Sequence, residues 1–369
     1  MKILCISDQL INSNHSAIEA IFGKFLKNYA TVSVAYFDKN IKKAAILEPN
    51  KIILPYYAKK RNLIAAINQV SKLDFDYIIV RNFYSVLSQI LNKRDIFNGA
   101  KIGFWESFPH DYRRVYEAEL KSKSVIRKKL EFLIKSYLHK NLISKCDFFL
   151  GISYELKKTF YDKIDVPFLD MPMGVDFDYI PNLDTSKNTN DGIVKFVYVG
   201  AIDKLREFDT VVSGFTDSKT AFELHIYSQS NNASLEDIKN LRDNRIFIHS
   251  PKQRQALFIE LLQYDVGVGL IPETQLYTVS SPTKTFEYSA LGLAPLVNYL
   301  PEYKRIYNTE NALFCEFDKR LITKKIEEIS KMPKKDIALI GTSSKNTIFE
   351  TRNYKALSIK LVDFLRGLK

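Results

Sequence analysis

Gly267-Val-Gly-Leu-Ile-Pro272, a short spacer, and then Ser280-Ser-Pro-Thr-Lys-Thr-Phe-Glu-Tyr-Ser-Ala-Leu-Gly-Leu-Ala-Pro295 form the most informative stretch of this 369-residue chain. The first piece reads as a buried strand ending at Pro272. The second reads as a helix that opens at Pro282, with Ser281 as N-cap, proline at the first helical position and Gly292 closing it at C′. A helix that starts where a parallel strand ends offers free N–H groups and the positive end of its dipole, and an anion fits there. Lys284, one turn in, adds a full charge. Glu287, about one turn further, is placed to accept hydrogen bonds from sugar hydroxyls. An ordinary capped helix with a solvated lysine and glutamate would read the same way, so the neighbouring segments have to decide.

Two upstream segments bear on it. In Phe196-Val-Tyr-Val-Gly200-Ala-Ile-Asp-Lys204-Leu-Arg206-Glu-Phe-Asp209 a strand ends at a glycine and cations follow before the next helix. Such a loop lets backbone and an arginine reach a diphosphate. Met171-Pro-Met-Gly174-Val-Asp176 lies just before the polar, turn-rich segment 181–192. Around these pieces, short β-rich runs alternate with helical patterns along the whole chain, the rhythm of open α/β sheets. Lys2 to Ser7, Thr31 to Phe37, Tyr77 to Val80, Lys101 to Trp105 and Phe148 to Ile152 read as strands of a first half. Val194 to Val199, Phe222 to Tyr227, Ile246 to His249 and Val266 to Ile271 read as strands of a second. Ile18 to Asn28 and Leu63 to Leu73 read as helices between strands, and Tyr354 to Leu368 as a last helix with Leu357, Leu361 and Leu365 in register.

Taken in order, MGVD, YVGAIDKLREFD and SPTKTFEYSALGLAPLV resemble the motifs of the nucleotide-sugar glycosyltransferases of the GT-B fold, especially family 4 and its relatives. The resemblance covers residues 171–298; the N-terminal half is similar only in its strand–helix rhythm. It implies two Rossmann-like domains facing across a cleft: an acceptor domain at 1–172, a donor domain at 173–345, and a C-terminal helix at 346–369 packing back on the first domain. By position, Glu287 matches the glutamate that binds the donor ribose, and Arg206 takes the place of the diphosphate-binding lysine, with Gly200 and Lys204 in the same loop. Ser281, Thr283 and Lys284 open the helix that meets the phosphates or the sugar. The donor is then a UDP- or GDP-sugar, with no metal and no further cofactor. Two positions depart from the pattern. Ala201 stands where an arginine is usual, and Val279 stands where the first glutamate of an E-x7-E pair would fall. The loss of that glutamate leaves the sugar, and the choice between retaining and inverting transfer, open.

Transfer from a nucleotide diphosphate needs its leaving group neutralised, and an inverting enzyme also needs a base for the acceptor hydroxyl. In the first half, candidates must follow strand ends. Asn14, His15 and Ser16 follow the first strand, where they cap the next helix or touch a ligand. Trp105-Glu-Ser-Phe-Pro-His-Asp111 follows another. Glu106, directly at the strand end, is the first choice for a base, with Asp111 and His110 next; an ion pair of Asp111 with Arg113 or Arg114 is the plain structural alternative.

Composition sets the partners. The chain carries 54 Lys+Arg against 42 Asp+Glu, a net +12, with 46% hydrophobic residues, which excludes disordered and fibrous classes. Residues 1–172 hold 28 basic and 17 acidic residues, against 26 and 25 in residues 173–369, so the first half carries +11 and the second +1. Three scattered cysteines, Cys5, Cys146 and Cys315, suit neither a disulfide framework nor a zinc site. No apolar run reaches the ~18 residues of a spanning helix and the start lacks a cleavage site, so the expected location is cytoplasmic. A helix from about Lys121 to Lys145 carries Ile126, Leu130, Leu133, Tyr137, Leu138 and Leu142 on one face. That stripe either packs on the domain, or the helix meets an anionic membrane at the inner face of the cell membrane. The leading reading is a membrane-associated glycosyltransferase of bacterial surface polysaccharide or glycoconjugate synthesis, acting on a glycan or polyprenyl-phosphate-linked acceptor. An alternative is a catalytically inactive nucleotide-sugar-binding or scaffold protein. Nucleic acid is not expected as a partner, since the basic stretch lacks interleaved aromatics and any reading module.

Overall fold

The computed structural model describes residues 1–11, 15–70, 72–181, 192–230 and 232–368. The chain forms two compact units, one of Met1–Met173 with Tyr354–Lys369, the other of Gly174–Asn353. The polar segment read as a linker lies almost wholly outside the described residues, as does Asn14.

The first unit is built on an eight-stranded sheet: β1 (Lys2–Ile6), β2 (Thr31–Asp38), β3 (Ala45–Glu48), β4 (Lys51–Pro55), β5 (Tyr77–Arg81), β6 (Lys101–Glu106), β7 (Phe148–Gly151) and β8 (Phe168–Asp170), in the order β3-β4-β2-β1-β5-β6-β7-β8. Only β3 runs antiparallel, against β4. Parallel strands covered on both faces need continuous apolar runs, and Lys2-Ile-Leu-Cys-Ile6 and Tyr77-Ile-Ile-Val-Arg81 supply them; Ile3 to Ile6 and Ile78 to Val80 have no exposed surface. The pattern from Ile18 to Asn28 is not one helix. It breaks into a π-helical turn, Ile18–Phe22, and a 3-10 turn, Phe25–Asn28, on either side of Gly23 and Lys24. Leu63–Asn68 forms a shorter helix than the periodicity suggests.

The second unit holds a six-stranded, wholly parallel sheet: β9 (Val194–Val199), β10 (Phe222–Tyr227), β11 (Ile246–His249), β12 (Val266–Val268), β13 (Ala294–Val297) and β14 (Leu313–Phe314), ordered β11-β10-β9-β12-β13-β14. Helices Phe208–Asp217 and Lys319–Ser330 cover one face through Phe208, Val211, Val212, Phe215, Ile322, Ile326 and Ile329. Helix Lys334–Thr351 runs past residue 345, so 346–351 are its last turns and not part of a separate C-terminal helix. The chain returns to the first unit only at Tyr354, where helix Tyr354–Gly367 buries Tyr354, Leu357, Leu361 and Leu365, and Leu365 accepts a hydrogen bond from the Tyr77 hydroxyl at 2.8 Å. Within the second unit the two chain crossings run side by side: the Val175 N–H donates to the Arg352 carbonyl at 2.8 Å. Among the described residues no helix is long and apolar enough to cross a membrane, and the three cysteines are free and buried.

Candidate functional site

In the second unit the strands' C-terminal ends bring the motifs to one edge of the sheet. β9 and β12 are neighbours, so the loop after Val199 and the segment that leads from β12 through the short helix Gln275–Thr278 to the helix Thr283–Ala290 leave the same edge of the sheet. Tyr288 ties them together, its hydroxyl accepting from the Val199 N–H at 2.7 Å. The glycine loop is fixed by short bonds: Gly200 N–H to the Tyr227 carbonyl at 3.0 Å, Ile202 N–H to the Ser230 hydroxyl at 2.8 Å, and the Asn232 amide to the Ile202 carbonyl at 2.7 Å. Lys204 stands exposed on this loop. Arg206 does not extend into open space; its guanidinium pairs with Asp203 at 2.5 Å.

The helix of the opening stretch runs Thr283–Ala290, and its N-cap is Pro282, with no side chain capping it. Ser281, expected as the cap, instead donates its hydroxyl to Glu302 at 3.0 Å. The reason is electrostatic: Glu302 is buried, paired with Arg352 at 3.0 Å, and a buried carboxylate takes every donor within reach. The first turn, opened by Thr283, is therefore left to whatever anion meets it. At the other end Gly292, at φ +77°, makes the left-handed C′ turn that only glycine adopts without strain. Behind the helix, Tyr303 donates to the Gly269 carbonyl at 2.9 Å and bonds the Thr285 hydroxyl at 2.7 Å, which fixes the helix against the strand end.

Glu287 is buried, with one carboxylate oxygen 3.0 Å from the Arg254 guanidinium and the other 3.3 Å from the Lys284 ammonium. Arg254 opens helix Arg254–Leu261 after β11, 33 residues upstream of its partner, and the sequence reading missed it. Its only signal is an arginine at a helix start just beyond a strand. Val279, at the position of the missing glutamate, is buried.

The first unit does not gather its three candidates into one place. Glu106 ends β6 and is buried; Tyr84 donates to its carboxylate at 2.9 Å and bonds Tyr161 at 2.9 Å. Burial pushes the Glu106 carboxyl up to about 7, against the hydrogen bonds from Tyr161 and Tyr84 that favour its charge. Asp111 lines the same small cavity of about 20 Å³, room for about one water molecule, and bonds His139 at 3.1 Å. Lys135 and Arg114 lie within 3.7 and 3.9 Å of the Asp111 carboxylate, while Arg113 pairs with Glu117 instead. His139 lies flat on Tyr84 with ring centres 3.4 Å apart. His110, by contrast, keeps an exposed surface, and partial desolvation of its ring, ahead of the opposing charges of Asp8 and Arg81, lowers its pKa. Enclosed as it is, Glu106 cannot meet an acceptor hydroxyl in this conformation.

A second, largely buried polar group at this sheet's C-terminal edge is one the sequence reading did not assemble. Asp8, just after β1, pairs with Arg81 at the end of β5 and accepts from the Asn82 amide at 2.9 Å. Asn82 also joins Ser107, donating to its hydroxyl at 2.8 Å and accepting its N–H at 2.9 Å. His15 lies 3.3 Å from the Arg81 guanidinium. Burial opposes the charge of Asp8, but Arg81 with Asn82 and Gln9 holds its carboxyl below the usual range. Lys59, over the rings of Tyr56 and Phe83 at 4.4 Å, adds a cation whose pKa burial lowers.

No family model matches this sequence, and no curated protein matches it. Solved structures do, over the full chain. A sucrose-phosphate synthase from Thermosynechococcus elongatus is 11% identical with a TM-score of 0.72, covering 100% of this chain and 99% of its own. Anabaena HepE, in complex with UDP and glucose, is 10% identical at 0.71, covering 100% of each. An α,α-trehalose-phosphate synthase (UDP-forming) from Burkholderia xenovorans, in complex with glucose-6-phosphate, is 11% identical at 0.68, covering 100% of each. The chain has the GT-B fold. The two parallel-sheet units are those this fold calls for, and the likeness does not single out family 4 within it.

Proposed function

We propose that this protein is a glycosyltransferase that moves a sugar from a nucleotide-diphosphate donor, a UDP- or GDP-sugar, to a glycan or polyprenyl-phosphate-linked acceptor in bacterial surface polysaccharide or glycoconjugate synthesis. The observation that carries the reading is Glu287, a buried carboxylate held between Arg254 and Lys284 beside an uncapped helix start. Its oxygens are placed to accept ribose hydroxyls, while the first turn from Thr283, with Lys284, receives the diphosphate. Lys204 and Arg206 add charge from the neighbouring loop, Arg206 by exchanging Asp203 for a phosphate. Fixed donors and cations at that spot stabilise the negative charge that develops on the leaving diphosphate. The fold neighbours from Anabaena and Burkholderia hold UDP with glucose and glucose-6-phosphate, which agrees with a donor of this class and an acceptor bearing phosphate.

On the acceptor side, Lys59 near Asp8, in the unit that carries the excess charge, suits a phosphorylated acceptor at the inner membrane face, with buried Arg81 fixing Asp8 in place. Among Glu106, Asp111 and His110, the exposed His110 is the proposed acceptor-side base, while buried Glu106 holds its proton more tightly and Asp111, paired with His139, stays charged. One observation favours the second reading, a nucleotide-sugar binder without turnover: Val279 puts a buried apolar side chain where a carboxylate would face the transferred sugar.

The test incubates the protein with UDP- and GDP-sugars and a lipid extract from bacterial membranes, and follows free nucleoside diphosphate. Release with one donor, lost in Glu287→Ala and Lys284→Ala, is expected. Donor binding without release under any condition would leave the binder as the reading.

A further inference from the structure

The helix Val125–Ile143 turns its apolar side outward. Its inner side carries Phe132, Lys135, Ser136 and His139, and the charges there are settled within the protein: Glu131 binds Lys128 and Lys135, each at 2.8 Å, and Asp111 binds His139. Its outer side carries Ile126, Leu130, Leu133, Ile134, Tyr137 and Leu138, between 53% and 86% exposed. At 100° per residue these six fall within one continuous sector of the helix. Five of these belong to the stripe that the sequence shows and that an ordinary surface helix would bury; its sixth member, Leu142, is half-buried, and Ile134 joins the exposed side instead. Here Asp111, which takes Lys135 and His139, and the cavity beside Glu106 claim the polar side, so the apolar side is left facing solvent. A contiguous apolar face of this kind marks a site of association.

The surrounding charge selects the occupant. Residues 121–145 contain eight Lys or Arg and one Glu. Lys121, Lys123 and Arg127 are exposed, and among the described residues none of them pairs with a carboxylate. A second copy docked symmetrically through this face would bring the same excess of positive charge against itself. An anionic lipid surface neutralises it, while the six apolar side chains enter the boundary between headgroups and acyl chains and Tyr137 sits where amphipathic rings collect. We infer that helix Val125–Ile143 is a membrane-docking helix, lying along an anionic bilayer with its apolar side inserted and Lys121, Lys123 and Arg127 among the headgroups. The inference deepens the proposed function by naming the surface on which a lipid-linked acceptor is met. It rests on that reading only for its purpose, since its test involves no turnover.

The experiment is co-sedimentation with vesicles of phosphatidylcholine alone and of phosphatidylcholine mixed with phosphatidylglycerol. It uses the full chain, the triple variant Leu130→Gln/Leu133→Gln/Tyr137→Gln, and the charge variant Lys121→Gln/Lys123→Gln/Arg127→Gln. The wild type is expected on the mixed vesicles and not on the neutral ones, with binding weaker by about tenfold or more in each variant. All substituted residues are exposed, so thermal midpoints and nucleotide-sugar affinity, read in parallel, are expected to stay unchanged. Failure of the wild type to bind mixed vesicles, or equal binding by the triple variant, overturns the inference. A dimer in sedimentation equilibrium that the triple variant abolishes, with no vesicle binding, would assign the face to a second copy instead. Loss of donor binding in the wild type would strike the proposed function and leave the docking result standing.

Discussion

The carboxyl of Glu106 sits in a space for about one water, ringed by Tyr84 and Tyr161 and facing Asp111. Its ordinary pKa is 4.5 and in the fold it is about 7. Between those values the folded chain keeps a proton that the unfolded chain has released, so stability falls as pH rises through this window and the whole deficit is present above it. A shift of this size corresponds to about 3 kcal/mol. Glu106→Gln, which keeps an acceptor for Tyr84 without the charge, is expected to raise the thermal midpoint over wild type at about pH 8 and to leave it unchanged near pH 4.5; the same difference at both would refute the assignment. At this scale the sequence is a partial guide. Lys284 and Glu287 are legible because a helix places residues three apart on one face. Arg254 joins them from 33 positions away and Arg81 reaches Asp8 across 73, and both meetings are made by strand order, which local pattern does not contain.

Helices show the same division between pattern and context. The period of Ile126, Leu130, Leu133, Tyr137 and Leu138 is plain in the sequence, yet which way the stripe turns depends on what lies beneath it. Asp111 and Glu106 belong to other elements, and Asp111 draws Lys135 and His139 inward. In the Ile18–Asn28 pattern, periodicity promised a helix that the chain delivers as two separate turns. Helix Lys334–Thr351 was not read at all; its Gly341 is the clue. A Cβ there would come within 2.2 Å of the Gly292 carbonyl oxygen, in the turn that ends the helix Thr283–Ala290. Gly341→Ala gains helix propensity but forces two backbones apart, and a net loss of about 1–3 kcal/mol is expected in urea unfolding. Stability equal to wild type or higher would mean the turn yields freely.

Over the whole chain, the two α/β units and a last helix are legible from alternating strands and helices, since parallel sheets write continuous apolar runs into the sequence, while the return of that helix to the first unit is implied only by the resemblance. The charge was legible too, and the structure gives it a place: residues 1–172 carry +11, including the exposed cations around the docking helix, while residues 173–369 carry +1. Salt should therefore separate the two halves of the function. Raising ionic strength from about 0.05 to about 0.5 M is expected to weaken binding to anionic vesicles strongly while changing nucleotide-sugar affinity only a few-fold, because the screening length falls below the spacing of exposed surface charges but not of the close Glu287 cluster. Equal sensitivity of both would place the basic surface at the nucleotide.

The central claim is that Glu287, between Arg254 and Lys284, holds the nucleotide of a sugar donor. Calorimetric titration of UDP- and GDP-sugars into the wild type and Glu287→Ala addresses it directly. One of the two nucleotide classes is expected to bind the wild type, and the substitution to weaken it by about tenfold or more, the loss of hydrogen bonds to a charged acceptor. Binding of equal strength in Glu287→Ala, or no binding of either class to the wild type, would contradict it.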